Sequence, residues 1–367
     1  MIEFYRNFNF SDESLTKLIK IIIPEVDKFD VKAKIAELNI KRCIKTKKYS
    51  YKDSRKVFSS FLNHHKKENT VLGMANHKGG VGKSTSCVNI ASILHLFGYR
   101  VLLIDTDSQC NLTNTFFSRN FNFDLTLSDY LTGLTSFDNI VYELIEGLCI
   151  IPSSRKIEGF KSEAKMNVNT LEQLNIDIKE ISKHFDFTII DSSPALDILN
   201  VSLIGCYDLL ISPVHLCMDA LEGSKELYDE LVDIYGIYDL DIKDKFRVFY
   251  SMTVNNRVHK LIRKEVDEII CDFKNDNELL LDTLEIKHAA EVYESIKFES
   301  EIPNSPIVHE AKSFKRPIWG MGNYKHPALK GYFNLTNEIV NYCNHLSMLK
   351  HRKTAIKNER NSHLSRR

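Results

Sequence analysis

The sequence predicts an α/β protein that is built on a doubly wound, mostly parallel sheet and carries a small helical N-terminal region. From Thr70 onward, apolar runs of strand length alternate with stretches of helical periodicity. Three of these runs end in glycine-rich or acidic segments, as expected where the carboxyl ends of parallel strands bind ligands. Right-handed crossovers between such strands give a sheet with helices on both faces. We therefore expect a ligand site at one edge of the sheet.

The first predicted strand, residues 70–73, leads into a glycine-rich loop that is followed by a helical pattern. The glycines allow backbone N–H groups to turn towards phosphate oxygens, and the helix adds its positive end. Lys83 would reach the β- and γ-phosphates of a nucleotide, and the Ser84 hydroxyl would ligate Mg²⁺. The alternative is a glycine-rich turn with two solvated lysines. The predicted nucleotide contacts of the loop are Lys78, Gly79, Gly80, Val81, Gly82, Lys83, Ser84 and Thr85.

The next two motifs place carboxylates at strand ends. Residues 99–104 form a buried apolar run that ends in Asp105 and Asp107, and residues 185–190 form another that ends in Asp191. Carboxyl ends of parallel strands share one sheet edge, so these groups should lie beside the loop. The alternative for the first pair is helix capping. The loop and the two acid-ended strands resemble the metal-binding motifs of P-loop ATPases, and the Mg²⁺ ligands that this resemblance implies are Ser84, Asp105 and Asp191.

The loop departs from the ordinary phosphate-binding pattern, which requires glycine at the position of His77. The chain instead has a second lysine, Lys78, at the loop entrance. This loop resembles the deviant Walker A loop of the ParA/MinD/nitrogenase-iron-protein class of P-loop ATPases. Residues 105–113 resemble the Asp-x-Asp-Pro-Gln-x-Asn signature of ParA proteins, with serine in place of the proline. Residues 185–194 resemble a Walker B strand that ends in hhhhDxxP.

The resemblance implies ATP hydrolysis, with ATP and Mg²⁺ as cofactors. In this class of ATPases the entrance lysine crosses a dimer interface to the nucleotide of the other subunit, so Lys78 implies an ATP-dependent homodimer. Asp107 looks like the residue that orients the attacking water, since phosphoryl transfer depends on in-line positioning. The predicted catalytic residues are Lys78, Lys83 and Asp107.

The resemblance extends over residues 70–346. Further strands are predicted at residues 208–214, 246–253 and 279–284, and residues 220–223 open a helix. The segments around residues 302–311 and 316–318 are similar to the family's nucleotide-side loop and the helix behind it. The additional predicted nucleotide contacts are Asn255 or Asn256, for adenine, and Pro303.

We expect three parts: a helical N-terminal region over residues 1–68, a deviant Walker A ATPase domain over residues 69–346, and a basic tail over residues 347–367. Two short helical patterns, residues 31–41 and 49–58, flank a basic turn in the first part. They resemble a reduced winged helix-turn-helix of larger plasmid ParA proteins. A basic linker region without a sequence-specific role is the alternative.

An amphipathic helix is also predicted between Ser11 and Phe29, with an interruption at Pro24. Its apolar positions could serve either of two roles. A leading helix helps to dimerise some ParA proteins, and the alternative is that the helix packs on its own domain.

Charge is unevenly distributed along the chain. The 49 basic and 49 acidic residues cancel, yet Lys and Arg are in excess at both ends. Basic ends suggest nucleic-acid contact or solvated tails. We expect the C-terminal tail to be disordered. Related ATPases bind duplex DNA without sequence preference through basic residues in two segments of this domain. The contacts that the resemblance implies are Arg257, Lys260, Arg263, Lys264, Lys312, Lys315 and Arg316.

Composition indicates a cytoplasmic protein with no membrane contact, and the resemblance to ParA proteins implies that it is nucleoid-associated. No apolar run approaches the roughly 18 residues of a membrane span, and no signal peptide is present. The 8 cysteines form no Cys-x-x-Cys pair, which argues against zinc and disulfide sites.

The predicted function is therefore ATP-dependent DNA segregation. ATP would close a dimer that coats nucleoid DNA, and a ParB-like centromere-binding protein would trigger hydrolysis and release. The alternatives are a MinD-like membrane-associated positioning ATPase, an iron–sulfur or metabolic enzyme of the same superfamily, and an ATP-switched transcriptional autorepressor of a partition operon.

Overall fold

The computed structural model describes the backbone of residues 1–62, 68–117, 123–162, 168–193, 197–216, 245–257, 259–261, 263–264 and 297–364. Side chains are described for these residues except 160–162, 168 and 349–364. Two sequence predictions, the helix opening at residues 220–223 and the strand at residues 279–284, lie outside the described residues.

The described part of the chain contains a small strand pair in the N-terminal region and one large sheet. The pair is β1 (Asn9–Phe10) and β2 (Tyr49–Ser50), which are antiparallel. The strands of the large sheet are β3 (Thr70–Met74), β4 (Val101–Asp105), β5 (Tyr142–Ile145), β6 (Leu148–Ile151), β7 (Phe187–Asp191), β8 (Leu209–His215), β9 (Phe246–Thr253) and β10 (Ile302–Pro303).

The large sheet has 8 strands in the order β10-β9-β8-β3-β7-β4-β6-β5. All neighbours are parallel except β5 and β6. This confirms the predicted doubly wound, mostly parallel sheet. The antiparallel edge hairpin was not foreseen. Its turn contains Gly147 at φ +84, a left-handed conformation that glycine adopts without steric cost.

The α-helices of the described residues flank this sheet. They are α1 (Ile2–Asn7), α2 (Asp12–Ile22), α3 (Lys28–Glu37), α4 (Tyr51–Phe61), α5 (Lys83–Leu96), α6 (Asn111–Phe116), α7 (Leu127–Leu131), α8 (Lys156–Ser162), α9 (Val168–Ser182), α10 (Ile198–Leu203), α11 (Pro306–Ser313) and α12 (Pro327–Leu364). Three 3₁₀ turns span Phe137–Ile140, Ile204–Cys206 and Ile318–Met321.

The two faces of the sheet are covered by two separate apolar clusters. Along β3, Leu72 belongs to one cluster and Val71 to the other, and along β4 Leu103 and Leu102 divide in the same way. This alternation is the period-two pattern of a strand whose two faces are both buried. Every residue of β3, β4 and β7 is buried, so the sheet centre is a rigid base for the loops at its carboxyl edge.

The N-terminal region packs into the same apolar cluster as α5 and α12. Leu15, Leu18 and Ile19 on α2 are fully or almost fully buried there. The apolar face of α2 is thus covered within the chain, which favours packing on its own domain over the dimerising role.

Helix α4 is attached to the carboxyl end of α5. The guanidinium of Arg55 donates hydrogen bonds of 2.6–2.8 Å to the backbone carbonyls of His95, Gly98 and Tyr99. A cation at these positions satisfies carbonyls that the helix end leaves unpaired. The N-terminal region is therefore held against the helix that begins at the glycine loop.

The last helix of the described residues is also the longest of them. The backbone of α12 continues through the basic tail to Leu364, where the sequence analysis expected disorder, so that expectation was wrong. Within the described residues, no helix combines the length and the apolar character that crossing a membrane would require.

Candidate functional site

The glycine loop connects the end of β3 to the start of α5. Gly82 is the residue before the helix and has φ +96, and Gly80 has φ +80. A side chain at either position would strain the backbone. A Cβ on Gly79 or Gly80 would meet nothing within 4 Å, so these residues border open space. The backbone of the loop is thus accessible to a ligand, as the predicted phosphate cradle requires.

Asn76, just before the loop, braces it against the neighbouring strand. Its side-chain amide donates hydrogen bonds of 3.0 Å to Ser212 Oγ and to the Pro213 carbonyl on β8. Its Oδ1 accepts one of 2.8 Å from the backbone N–H of Lys78. Sequence analysis did not identify Asn76, because the role depends on a strand more than a hundred residues away.

Strand β9 supports the loop from the other direction. Ser251 Oγ donates a hydrogen bond of 2.8 Å to the carbonyl of Val81. A Cβ on Gly82 would lie 3.2 Å from the same hydroxyl, which is tighter than an ordinary contact. The end of β9 therefore limits position 82 to glycine for steric reasons as well as for its backbone angle.

Lys83 is buried under the loop. Only 7% of its surface is exposed, and its ammonium donates hydrogen bonds of 2.9 Å to the backbone carbonyls of Asn76 and Lys78. Burial lowers the pKa of Lys83, and the charges of Asp191 and Asp107 act against that shift. This ammonium is therefore a cation held among main-chain oxygens and near two carboxylates at the base of the loop.

Asp191 is the most unusual polar group of the site. It is fully buried, and among the described residues neither of its carboxylate oxygens has a hydrogen-bond partner. Burial, followed by the charge of Asp105, raises the pKa of Asp191, while the Ser84 hydroxyl and Lys83 oppose the rise. A buried carboxylate normally has donors or a metal ion. Two unpaired oxygens near a serine hydroxyl fit the oxygen-rich ligand set of Mg²⁺.

The other two carboxylates hold the loop after β4. Asp105 accepts hydrogen bonds from the backbone and hydroxyl of Thr113, at 2.8 and 2.6 Å, and from the backbone of Asp107 at 3.1 Å. Burial raises the pKa of Asp105. Asp107 accepts one hydrogen bond of 3.0 Å, from the backbone of Gln109. Asp105 is thus largely occupied by its own loop, and Asp107 keeps acceptor capacity for a ligand or water.

A cavity of about 440 Å³ lies over the loop, a volume typical of small-molecule sites. A larger groove of about 1110 Å³ adjoins it and shares Gln109, Asn111 and Lys312 with it. The predicted residues that line the smaller cavity are Gly79, Gly80, Gly82, Lys83, Ser84, Thr85, Asp107 and Pro303. Lining residues that sequence analysis did not assign to the nucleotide are Ser251, Met252, Asn304, Ser305, Val308, His309, Lys312 and Tyr332.

The structure does not bring Asn255 or Asn256 to the walls of this cavity, as far as the described residues define them. Both are exposed, and Asn256 Oδ1 instead accepts a hydrogen bond of 2.8 Å from the backbone of His259. Asn304, whose backbone donates to the Thr253 carbonyl at 2.9 Å, is the asparagine that lines the cavity.

The cations predicted to contact DNA differ in their surroundings. Arg263 forms a bidentate ion pair with Glu301, with N–O distances of 2.5 and 2.7 Å. Lys315 donates a hydrogen bond to the carbonyl of Phe117. A cation that already has such partners is less available to phosphates. The exposed members of the set are Arg257, Lys260, Lys264, Lys312 and Arg316.

The chain is similar to several proteins of known class. A family model described as an AAA domain matches residues 69–243. The chromosome partitioning protein ParA of Caulobacter vibrioides is 26% identical over 273 residues, which are 74% of this chain and 93% of that protein.

Two solved structures share the fold. One is a plasmid partition protein of Borrelia burgdorferi bound to AMPPNP, with a TM-score of 0.57, 19% identity, and coverage of 77% of this chain and 99% of that one. The other is the septum site-determining protein MinD of Pyrococcus horikoshii with Mg-ADP, with a TM-score of 0.53, 18% identity, and coverage of 74% and 96%.

The fold and the glycine loop are similar to those of the P-loop ATPases of the ParA/MinD superfamily. Over about three quarters of its length, the chain is similar to a ParA-type partition protein.

Proposed function

We propose that this protein is a DNA-partition ATPase. It binds ATP with Mg²⁺, closes into a dimer and holds nucleoid DNA without sequence preference. A ParB-like centromere-binding protein stimulates hydrolysis, which resets the dimer. The observation that carries the proposal is the pair of Lys83, buried under the glycine loop, and Asp191, a buried carboxylate whose oxygens have no partner among the described residues. The ammonium of Lys83 suits the phosphates of a nucleoside triphosphate, and the carboxylate of Asp191 suits the metal ion that accompanies them.

The assignment of ATP and Mg²⁺ is supported from two directions. The relatives with this fold include proteins bound to AMPPNP and to Mg-ADP. In this chain, Ser84 and Asp191 would hold Mg²⁺, with Asp105 orienting the loop beside them. Lys83 would bind the β- and γ-phosphates, and Asp107 would orient the attacking water. Mg²⁺ would supply positive charge to the phosphates during transfer.

Lys78 provides a test of the dimer. It stands at the open entrance of the loop, and its side chain is not part of the wall of the cavity in its own chain. We expect Lys78→Ala to bind ATP with nearly normal affinity but to remain monomeric with ATP in sedimentation velocity, whereas the unchanged protein dimerises. Lys325→Ala, which alters an exposed lysine that does not line the cavity, is the control and should dimerise normally. An ATP-dependent dimer of unchanged affinity in Lys78→Ala would contradict the bridging role.

DNA binding follows from the exposed cations of the second half of the chain. Lysines that neutralise phosphates release counterions, so ATP-dependent binding to plain duplex DNA should weaken steeply with salt. Because Arg263 is paired with Glu301, the informative variant is Lys260→Glu, Lys264→Glu, which removes two exposed charges. The salt dependence is measured as the slope of the logarithm of the DNA-binding constant against the logarithm of the salt concentration. We expect this variant to lower the magnitude of that slope by about two.

The matched control is Lys179→Glu, Lys183→Glu, which makes the same charge change near the end of α9, the helix that precedes the central strand β7. The assay is co-sedimentation with duplex DNA and, separately, with anionic liposomes, each with ATP and with ADP. ATP-dependent DNA binding that the first variant loses and the control retains would support the proposal. ATP-dependent liposome binding without DNA binding would contradict it and favour a MinD-like membrane role.

A further inference from the structure

The loop between α3 and β2, residues 41–48, is the most strongly charged exposed segment of the N-terminal region. All eight of its residues are exposed, and none is acidic. Among the described residues, no salt bridge neutralises its four lysines. The cations of the loop are Lys41, Arg42, Lys45, Lys47 and Lys48. Like charges so close together repel one another, and an anionic partner would relieve that repulsion.

The loop is held in a defined shape. The backbone N–H of Cys43 donates to the Lys48 carbonyl at 2.8 Å, and that of Lys47 donates to the Cys43 carbonyl at 2.9 Å. Lys47 has φ +56, the left-handed conformation that closes the turn. The lysines are thus presented from a closed turn, and less conformational entropy is lost when they bind than from an unstructured segment.

Arg42 fixes the loop to the rest of the N-terminal region. Its guanidinium pairs with the carboxylate of Asp12 and donates a hydrogen bond of 2.7 Å to Tyr49 Oη. Tyr49 Oη in turn donates to Asp12 Oδ1 at 2.9 Å. One charge of the loop is therefore used as an anchor, and the four lysines remain for a partner.

We propose that this basic loop is a contact for the phosphate backbone of duplex DNA that operates without bound nucleotide. The proposal rests on the proposed function, which supplies DNA as the partner. Ammonium groups are point charges that suit phosphates and read no sequence. None of the described residues from 1 to 62 lines the cavity over the glycine loop, so the nucleotide state does not act on these lysines directly. The contact would keep the protein on DNA in the interval between dimer release and rebinding of ATP.

The apolar surface beside the loop favours DNA over a membrane. Ile44, 85% exposed, is the one large aliphatic side chain of the loop, and Phe29, 78% exposed, is on α3. The other apolar residues of α3 that could form an interfacial face, Val31 and Ile35, are buried against the protein. Insertion into a bilayer surface needs a continuous apolar face, which two isolated side chains do not provide.

The test is the full-length double variant Lys45→Glu, Lys47→Glu, compared with the control Lys179→Glu, Lys183→Glu. Fluorescence anisotropy with a labelled plain duplex is measured without nucleotide over a series of salt concentrations. We expect the unchanged protein and the control to bind weakly. The loop variant should bind at least about tenfold more weakly at low salt, and its salt slope should be lower by about two. Thermal unfolding midpoints equal to that of the unchanged protein would establish that both variants are folded.

Other outcomes separate this inference from the proposed function. Nucleotide-free binding that is the same in the loop variant and the control would overturn the inference, while ATP-dependent binding lost by Lys260→Glu, Lys264→Glu would still support the partition ATPase. Absence of DNA binding in every nucleotide state would overturn both. Nucleotide-free binding to anionic liposomes instead of DNA, lost in the loop variant, would assign the loop to a membrane and overturn the inference.

Discussion

Lys83→Ala should abolish measurable ATP binding. The ammonium lies under the glycine loop and donates to two backbone carbonyls at 2.9 Å. The charges of the buried Asp191 and Asp107 act on it and oppose the burial that lowers the pKa of Lys83. Removing one partner of a buried charged contact costs about 2–5 kcal/mol, which corresponds to roughly 30-fold or more in affinity. Isothermal titration with ATP and Mg²⁺ measures this directly, and unchanged affinity would exclude the proposed phosphate contact.

Asp107→Ala is the matched comparison, because it removes a charge from the same cavity without touching the loop. Asp107 holds one backbone hydrogen bond of 3.0 Å, from Gln109, so its loss should leave the fold and the ATP affinity nearly intact. Turnover should fall by about 100-fold or more, as is typical when a group that positions or activates the nucleophile is removed. A variant that hydrolyses ATP at the normal rate would show that Asp107 does not orient water.

Most of the sheet could be predicted because parallel strands buried on both faces are short apolar runs. The prediction for residues 246–253 coincides with β9, and the runs that end in Asp105 and Asp191 became β4 and β7. The edge hairpin of β5 and β6 was missed. Edge strands alternate less clearly, and the single prominent signal of this hairpin is Gly147 in its turn.

The candidate site was predictable where its residues are adjacent in sequence, and not where they meet through the fold. Glycines and lysines of the loop lie in one segment, which a motif can describe. Asn76, Ser251 and Tyr332 come from different elements, and each acts through a contact that depends on strand order or helix packing. For the same reason sequence analysis could not tell that Asn304, rather than Asn255 or Asn256, lines the cavity, nor that Glu301 already pairs with Arg263.

The relation between the N-terminal region and the core around the large sheet was also not readable from sequence. Trp319 follows α11, which contributes to the cavity over the glycine loop, and it is completely buried. The rings around it come from the N-terminal region, with centroid distances of 5.4 to 5.9 Å. They are Phe4, Tyr5, Phe8, Phe10 and Tyr51. A sequence pattern separates residues 1–68 from the core, whereas this cluster joins the two.

Trp319→Ala should therefore destabilise the whole protein by about 3–5 kcal/mol, as expected for a large aromatic side chain removed from a packed core. Its indole nitrogen has no hydrogen-bond partner among the described residues, so the lost stability comes from packing. Urea unfolding followed by circular dichroism measures the change. Phe314→Ala, at a ring that is 63% exposed and only a few residues away, is the control and should change stability by less than about 0.5 kcal/mol.

The shape of the unfolding curve shows whether the N-terminal region unfolds together with the core or separately from it. If the aromatic cluster joins the N-terminal region to the core, Trp319→Ala should lower the midpoint of a single transition. A loss of less than about 1 kcal/mol, or a separate early transition of the N-terminal region in the unchanged protein, would contradict the joined arrangement.

The outcome also decides which variants are suitable for measuring DNA binding. In the joined arrangement, deleting residues 1–68 would expose the apolar surface of α5 and α12, so single charge changes in the loop at residues 41–48 are the cleaner experiment.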